Sequence, residues 1–345
     1  MSNWFRDAIF YHIYPLGLCS APAKNNFDLE PVSRLKDIYP WISHMSNLGV
    51  NALYIGPLFE SLSHGYDTVD YFMLDRRLGV NQDLTDFVAA CHSKNIMVIL
   101  DAVFNHVSRE HFAFRDVLLH GHNSSYADWF FINYDQPGQH GDPFTYEGWN
   151  GFHSLVKLNL NNTDVRNYLL SAVEFWMDKF GIDGLRLDAA DVMEKSFFNY
   201  LHSFCKSKRN DFWLMGEVIH GDYNEWVNPV RLDSVTNYEC YKGLWSSLND
   251  GNYFEISYAL NRQFGDKGIY KNLSLYNFAD NHDVDRVASK LKESRHLYPL
   301  YILLFTMPGI PSIYYGSEWG LQGVKGEHSD APRALQLISI QFMRM

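Results

Sequence analysis

The sequence predicts an α/β fold in which eight parallel strands close into a (β/α)8 barrel, the TIM-barrel architecture. Three observations predict it. Short apolar runs alternate with helical patterns along the 345 residues, eight of these runs are typical of strands, and acidic residues stand at the ends of several of them. Because such barrels carry their chemistry at the carboxyl ends of the strands, these acids are expected to meet in one site.

The strand predictions depend on short apolar runs, several of them rich in β-branched residues. Between them, apolar residues at helical spacing predict the connecting helices. The clearest helical stripes cover 38–45, 84–91 and 165–176, and the last is ended by Gly181. The eight predicted strands are 8–15, 52–59, 96–103, 184–189, 213–219, 233–238, 275–279 and 311–315.

The interval 107–162 breaks the alternation, because it is too long for a simple loop and is rich in aromatic residues, glycine, histidine and asparagine. It predicts a small irregular subdomain, inserted after the third strand, that walls one side of a cleft. The catalytic barrel is then expected to comprise 1–106 and 163–330. Residues 331–345 are expected to be an atypical tail with at most one short helix, so the sequence predicts no C-terminal β-domain.

The net charge of −11 argues against nucleic acid or an anionic membrane as the main partner. No apolar run is long enough to span a bilayer, and the N-terminus lacks the pattern of a secretory signal. The four cysteines form neither a CxxC pair nor a cluster with metal-ligand spacing. We therefore expect a cytoplasmic protein with reduced thiols. The cysteines are Cys19, Cys91, Cys205 and Cys240.

The segment 184–188, Gly-Leu-Arg-Leu-Asp, is the most informative in the chain. In a strand, Arg186 and Asp188 point to the same face, and a fixed guanidinium keeps a neighbouring carboxylate ionised and oriented. Glu217 and Asp283 also follow predicted strands. Taken singly, each of these residues is more often structural than catalytic. Three acids at the ends of three strands instead predict one site.

Six segments, in order along the chain, together resemble the signatures of the α-amylase family of retaining glycoside hydrolases. The resemblance extends from about residue 8 to about residue 320. It implies a barrel enzyme that acts on α-glucans. The segments are DAVFNH (101–106), LVKLN (155–159), GLRLDAA (184–190), GEVIH (216–220), FADNHD (278–283) and GIPSIYYGSE (309–318).

The resemblance implies a role for each catalytic acid. Asp188 would be the nucleophile that forms a covalent glycosyl–enzyme intermediate, and Glu217 would act as general acid and then as general base. Asp283 would bind sugar hydroxyls and help to distort the ring. Retention requires two carboxyl groups about 5–5.5 Å apart, one ionised and one protonated. Arg186 is expected to favour ionised Asp188, while apolar and acidic neighbours are expected to raise the pKa of Glu217.

The resemblance also implies the residues that bind the substrate. Arg186 would orient Asp188, His106 and His282 would hydrogen-bond the sugar at the cleavage subsite, and Asp101 would support this layer. Tyr66 resembles the aromatic platform beneath that sugar.

In many relatives, the residue that matches Asn105 binds a structural Ca²⁺. Too few acids surround Asn105 here to argue for a ligand cage, so no metal and no required cofactor are predicted.

Lys157 in LVKLN and the segment HGYDTVDYF (64–72) favour the branch of neopullulanases, cyclomaltodextrinases and maltogenic amylases. The predicted activity is hydrolysis of α-1,4-glucosidic bonds in maltooligosaccharides, cyclodextrins or related α-glucans. Two alternatives stay open: a transglycosylase with the same residues, or a truncated, inactive barrel that only binds sugar. The sequence leaves the oligomeric state and the exact substrate undecided.

Overall fold

The computed structural model describes residues 4–326, so the predicted tail 331–345 lies outside the described residues. Eight parallel strands form the main sheet, and each of the eight predicted strands is confirmed. The strands are Phe10–Ile13, Ala52–Ile55, Met97–Ala102, Gly184–Leu187, Trp213–Gly216, Ser234–Val235, Tyr276–Phe278 and Ile310–Tyr314. We refer to them as the first to eighth barrel strands.

Pairing of neighbouring strands nearly closes the sheet into the predicted barrel. Each strand pairs in parallel with the next from the first to the sixth, and the eighth lies between the seventh and the first. A parallel bridge between Thr236 and Tyr276 joins the sixth strand to the seventh. The sixth strand is shorter than predicted, because Tyr238 already belongs to the following helix.

Helices cover the outside of the sheet, and the three helical stripes are confirmed. The longest helix ends at Gly181, whose φ of 70° is the left-handed conformation that glycine adopts without steric cost. The α-helices are Pro15–Leu18, Tyr39–Asn47, Asn81–His92, Phe112–His120, Thr163–Phe180, Lys195–Lys208, Tyr238–Asn249, Phe254–Phe264, Val287–Lys290 and Leu297–Thr306.

Shorter 3₁₀ helices occur in the connections. They are Trp4–Asp7, Arg34–Ile38, Gly121–Asn123, Ala127–Trp129, Ala190–Val192, Tyr223–Glu225, Ser294–His296 and Ser317–Trp319.

The chain between the third and fourth barrel strands contains small antiparallel sheets. One joins three short strands and the other joins two. A further antiparallel hairpin, which the sequence analysis did not predict, follows the second barrel strand. These additions all lie outside the barrel sheet. Their strands are His106–Ser108, Gly148–Trp149 and Phe152–Lys157; Ile132–Asn133 and Thr145–Tyr146; and Phe59–Ser61 and Thr68–Leu74.

An aromatic cluster fills the amino-terminal end of the barrel interior. The ring of Phe10 lies 4.9 Å from that of Trp213 and 5.3 Å from that of Tyr276, centroid to centroid. Together with Ala52, Ile99 and other buried residues they form a hydrophobic core. Any opening must therefore lie at the carboxyl end of the strands.

Among residues 4–326, no helix has the length and apolar character needed to cross a membrane.

Candidate active site

Strand register places the charged residues of the third and fourth strands side by side. Arg186 is directly opposite Asp101, and both side chains are buried. The guanidinium Nη1 donates to Asp101 Oδ1 at 2.9 Å and to Asp188 Oδ1 at 2.8 Å. Its Nη2 lies 2.9 Å from Glu217 Oε2. One arginine therefore joins both predicted catalytic carboxyl groups and the predicted supporting acid.

Asp188 and Glu217 each lie one residue beyond a barrel strand. The hydrogen bonds between the parallel strands continue to both residues, since Asp188 N donates to the carbonyl of Ala102 and Glu217 N donates to the carbonyl of Leu187. Ala189 then has a φ of 48°, an unusual left-handed conformation for a residue with a Cβ. Its backbone N donates to Glu217 Oε2 at 3.2 Å. The strained turn after Asp188 thus supplies a donor that holds Glu217.

Asp101 carries no solvent-exposed side-chain surface and accepts from three donors. Besides Arg186, the hydroxyls of Tyr54 and Tyr66 donate to Oδ2 at 2.7 and 2.9 Å. A buried carboxylate with every neighbour donating is fixed in place. Asp101 therefore supports Arg186 and Tyr66.

Tyr66 and His282 link this layer to Asp283. Their rings stack with centroids 5.3 Å apart, and the Tyr66 hydroxyl contacts His282 Nε2. Nε2 also lies 2.8 Å from Asp283 Oδ2. Because an ionised carboxylate only accepts, this nitrogen carries the proton. The predicted sugar-binding residues thus form one connected network.

His106 is buried, and both of its ring nitrogens have partners. Nε2 lies 3.0 Å from the carbonyl oxygen of Tyr66, so it donates, while Nδ1 accepts from Asn105 Nδ2 at 3.2 Å. Burial lowers the pKa of His106 to about 3. His106 is therefore a neutral imidazole in the wall of the cleft.

The carboxyl groups open into a cleft of about 470 Å³. A larger groove of about 740 Å³ lies between helices Phe254–Phe264 and Leu297–Thr306, but it is lined by no acid or histidine. Its size alone does not make it the active site. The lining of the acidic cleft includes His64, Tyr66, His106, Trp149, Phe152, Asp188, Glu217, Ile219, Tyr238, Asp283 and Lys325.

Trp149 and Phe152 come from the interval 107–162 and form an aromatic wall of the cleft. Their rings stack 6.0 Å apart with an interplanar angle of 21°, and Phe152 is 56% exposed. Exposed aromatic faces of this kind suit the apolar faces of sugar rings.

The charges around Asp188 have opposing effects on its pKa. Burial raises the pKa of Asp188, and the carboxylates of Glu217, Asp101 and Asp283 raise it further against the lowering effect of Arg186. Arg186 therefore favours ionised Asp188, as predicted, but burial and the neighbouring carboxylates outweigh it and leave the pKa of Asp188 raised. The guanidinium is shared by Asp101, Asp188 and Glu217.

Asn105 is the residue that the resemblance links to a structural Ca²⁺, and the absence of a calcium site there stays a prediction. Asn105 Oδ1 is buried and has no hydrogen-bond partner in the described part of the chain. Within residues 4–326, no group of three or more His, Cys, Asp and Glu side chains is placed to hold a metal ion.

Sequence reasoning missed three polar residues of the site. The Tyr238 hydroxyl donates to Glu217 Oε1 at 3.3 Å and accepts from Asn281 Nδ2 at 3.1 Å. Lys325 enters the cleft from the loop after the eighth strand and contacts Asp283. Tyr238 and Lys325 lie outside the quoted motifs, so only the folded chain brings them to the acids. Asn281 was present in FADNHD but carried no assigned role.

Comparisons with known proteins find similar sequences and structures. The model of the alpha amylase catalytic domain matches residues 28–341. A cyclomaltodextrinase from a Bacillus species is 34% identical over 340 residues, covering 93% of this chain and 60% of the relative. Neopullulanase 2 from Thermoactinomyces vulgaris is 32% identical over 342 residues, covering 93% of this chain and 58% of the relative. The chain thus spans about three-fifths of these relatives.

Among solved structures, the chain is similar to cyclic α-maltosyl-(1→6)-maltose hydrolase from Arthrobacter globiformis in complex with that cyclic sugar. The TM-score is 0.84 at 28% identity, over 99% of this chain and 80% of the other.

Proposed function

This chain belongs to the alpha-amylase catalytic-domain family, and on that premise we propose that it hydrolyses α-1,4-glucosidic bonds of maltooligosaccharides and cyclodextrins with retention of configuration. One observation carries the proposal. Arg186 contacts Asp188 with one terminal nitrogen and Glu217 with the other, in a cleft that also contains Asp283. Two carboxyl groups that face one substrate cleft are what double displacement needs.

In the proposed mechanism, Asp188 attacks the anomeric carbon as Glu217 donates a proton to the leaving glycosidic oxygen. A covalent glycosyl–Asp188 ester forms, and the shortened glucan leaves with the proton. Glu217, now a carboxylate, takes a proton from water, which attacks the anomeric carbon and releases Asp188. Asp283 holds sugar hydroxyls in the distorted ring of the transition state.

The substrate class is proposed from the cleft and from the relatives. Neutral His106 and the aromatic wall of Trp149 and Phe152 suit an uncharged sugar chain. The relatives are named for cyclodextrin and pullulan hydrolysis, and the similar solved structure holds a cyclic maltosaccharide. We also infer a cytoplasmic enzyme without a nucleic-acid partner, an inference supported by four free, buried cysteines and a net charge of −11.

The test is hydrolysis of β-cyclodextrin, maltotriose, pullulan and soluble starch by the wild type and by Glu217→Gln. Glutamine keeps the shape of the side chain and an oxygen for Arg186 but cannot donate the proton. We expect kcat to fall about 10²–10⁴-fold, and proton NMR of the first wild-type product to show the α-anomer.

Glu225→Gln is the matched control, because Glu225 is an exposed acid paired with Lys195 outside the cleft. Full activity of Glu217→Gln would refute the assigned general acid. Products longer than the substrate would indicate glycosyl transfer. A folded wild type that binds maltotriose but does not cleave it would favour the sugar-binding alternative.

A further inference from the structure

We propose that Lys325 is a positioning residue for Asp283, which it holds by fastening the loop after the eighth barrel strand to the loop after the seventh. The inference rests on the proposed function, because it assigns Lys325 a task in that site. We call these segments the eighth-strand loop (315–326) and the seventh-strand loop (279–286).

Lys325 contacts Asp283 through both the backbone and the side chain of the acid. Its Nζ donates to the carbonyl oxygen of Asp283 at 2.9 Å and lies 3.5 Å from Oδ1. The backbone N of Lys325 donates to Asp285 Oδ1 at 2.7 Å. A lysine ammonium has three donors, so one side chain can hold both the loop and the carboxylate.

Asp283 depends on such contacts more than the other two catalytic acids. Its side chain is 30% exposed, whereas those of Asp188 and Glu217 are 11% and 10% exposed. His282 lies beside Oδ2 of Asp283, and Lys325 lies beside Oδ1 of the same carboxylate. The two contacts come from different loops, so together they fix the plane of the carboxylate.

The position of the seventh-strand loop also affects Glu217. Asn281 Oδ1 accepts from Asp283 N at 2.8 Å, and Asn281 Nδ2 donates to the Tyr238 hydroxyl at 3.1 Å. That hydroxyl donates to Glu217 Oε1 at 3.3 Å. A shift of the loop would therefore disturb the general acid as well as Asp283.

The Lys325 side chain can be replaced without unfolding the loop, because backbone contacts hold it independently. Arg286 N donates to the carbonyl of Gly323 at 2.8 Å, and Gly323 N donates to Ser289 Oγ at 2.8 Å. The side chain of Lys325 is itself half exposed, and exposed ion pairs contribute little to stability. Replacement of Lys325 is therefore expected to change the geometry of the active site more than the stability of the fold.

The first measurement is steady-state hydrolysis of maltotriose by Lys325→Met, Lys325→Arg and Lys292→Met. Methionine keeps the unbranched shape without the donors, and Lys292 is an exposed lysine paired with Asp250 outside the cleft. We expect Lys325→Met to lower kcat about 10-fold with KM changed less than about 3-fold, because misplaced catalytic groups act on the transition state. Arginine should restore most of kcat, and Lys292→Met should match the wild type.

The second measurement is hydrogen exchange of the seventh-strand loop, which needs no activity. Exchange of 281–286 should be faster in Lys325→Met and near the wild-type rate in Lys325→Arg. Unchanged kcat and unchanged exchange in Lys325→Met would overturn the proposal, as would loss of kcat that arginine fails to restore. Faster exchange in an enzyme whose wild type cleaves no glucan would support Lys325 and reject the proposed function.

Discussion

The two ends of the barrel interior are built from the same strands but are stabilised differently. At the amino end, Phe10, Trp213 and Tyr276 pack as apolar rings. At the carboxyl end, Arg186 and Asp101 are equally buried but depend on hydrogen bonds with defined donors and acceptors. Burial of apolar surface is non-directional and tolerates small shifts, whereas a buried charge needs each partner in place. Both ends thereby contribute to stability, but only the carboxyl end contains the groups that do the chemistry.

The fifth strand shows the difference within a few residues. It begins with Trp213 in the aromatic cluster and is followed by Glu217 in the acidic cleft. Removal of an apolar group at the amino end should therefore lower stability alone, whereas removal of the shared cation at the carboxyl end should lower both stability and activity.

The largest effect is expected at Arg186. Arg186→Met leaves Asp101, Asp188 and Glu217 without their shared cation, and an uncompensated buried charge costs about 3–5 kcal/mol. Removal of an electrostatic contact to the reacting groups also lowers kcat by about 10²–10³-fold or more. Urea unfolding and maltotriose hydrolysis measure the two effects.

Arg115→Met is the matched control, because Arg115 pairs with Glu110 and both side chains are exposed. Its cost should stay within about 1 kcal/mol, with kcat unchanged. If Arg186→Met were as mild as this control, the inferred difference between the two ends would be wrong.

The amino end should lose stability without losing catalysis. Trp213→Ala removes a fully buried ring whose indole N–H has no hydrogen-bond partner within residues 4–326, so its contribution is packing. The expected cost is about 3–5 kcal/mol from lost burial and the cavity left behind. The kcat of the folded fraction at 20 °C should remain within about 2-fold of the wild type, provided that urea titration confirms folding. A large loss of kcat in folded protein would show that the two ends are coupled.

Periodicity and local motifs in the sequence predicted part of this difference between the two ends of the barrel. Each barrel strand was marked by an apolar run, and the alternation in 184–188 placed Arg186 and Asp188 on one face before the register with Asp101 was known. Periodicity works here because every residue of a parallel barrel strand is buried on one face or the other. The acidic layer follows from it, whereas the aromatic cluster at the amino end was not predicted.

The remaining parts depend on contacts between distant segments. Tyr238 reaches Glu217 from the start of a helix that was predicted as the end of a strand, and Lys325 reaches Asp283 from 42 positions away. The raised pKa of Asp188 likewise reflects its burial and the carboxylates that separate strands and loops bring near it, against the lowering effect of Arg186. Local sequence patterns do not predict these contacts or their combined effect on a pKa, because both depend on which segments lie close together in the fold.

The smallest expected effect concerns pH at the amino end. His92, the last residue of helix Asn81–His92, places Nε2 2.7 Å from Oδ2 of Asp183, and this hydrogen bond raises the pKa of His92. A raised pKa in the folded state stabilises the protein fully below the unfolded value of about 6.5, and this contribution is lost as pH rises through the folded value. Because His92 is 38% exposed, screening should limit the gain to about 1 kcal/mol or less. The free energy of unfolding, measured with urea, should therefore be higher for the wild type than for His92→Gln at pH 5.5, and the two values should converge at pH 8.5. At each pH, the kcat of His92→Gln should match that of the wild type, because the catalytic acids are distant. A difference that grows with pH would reverse the assigned sign.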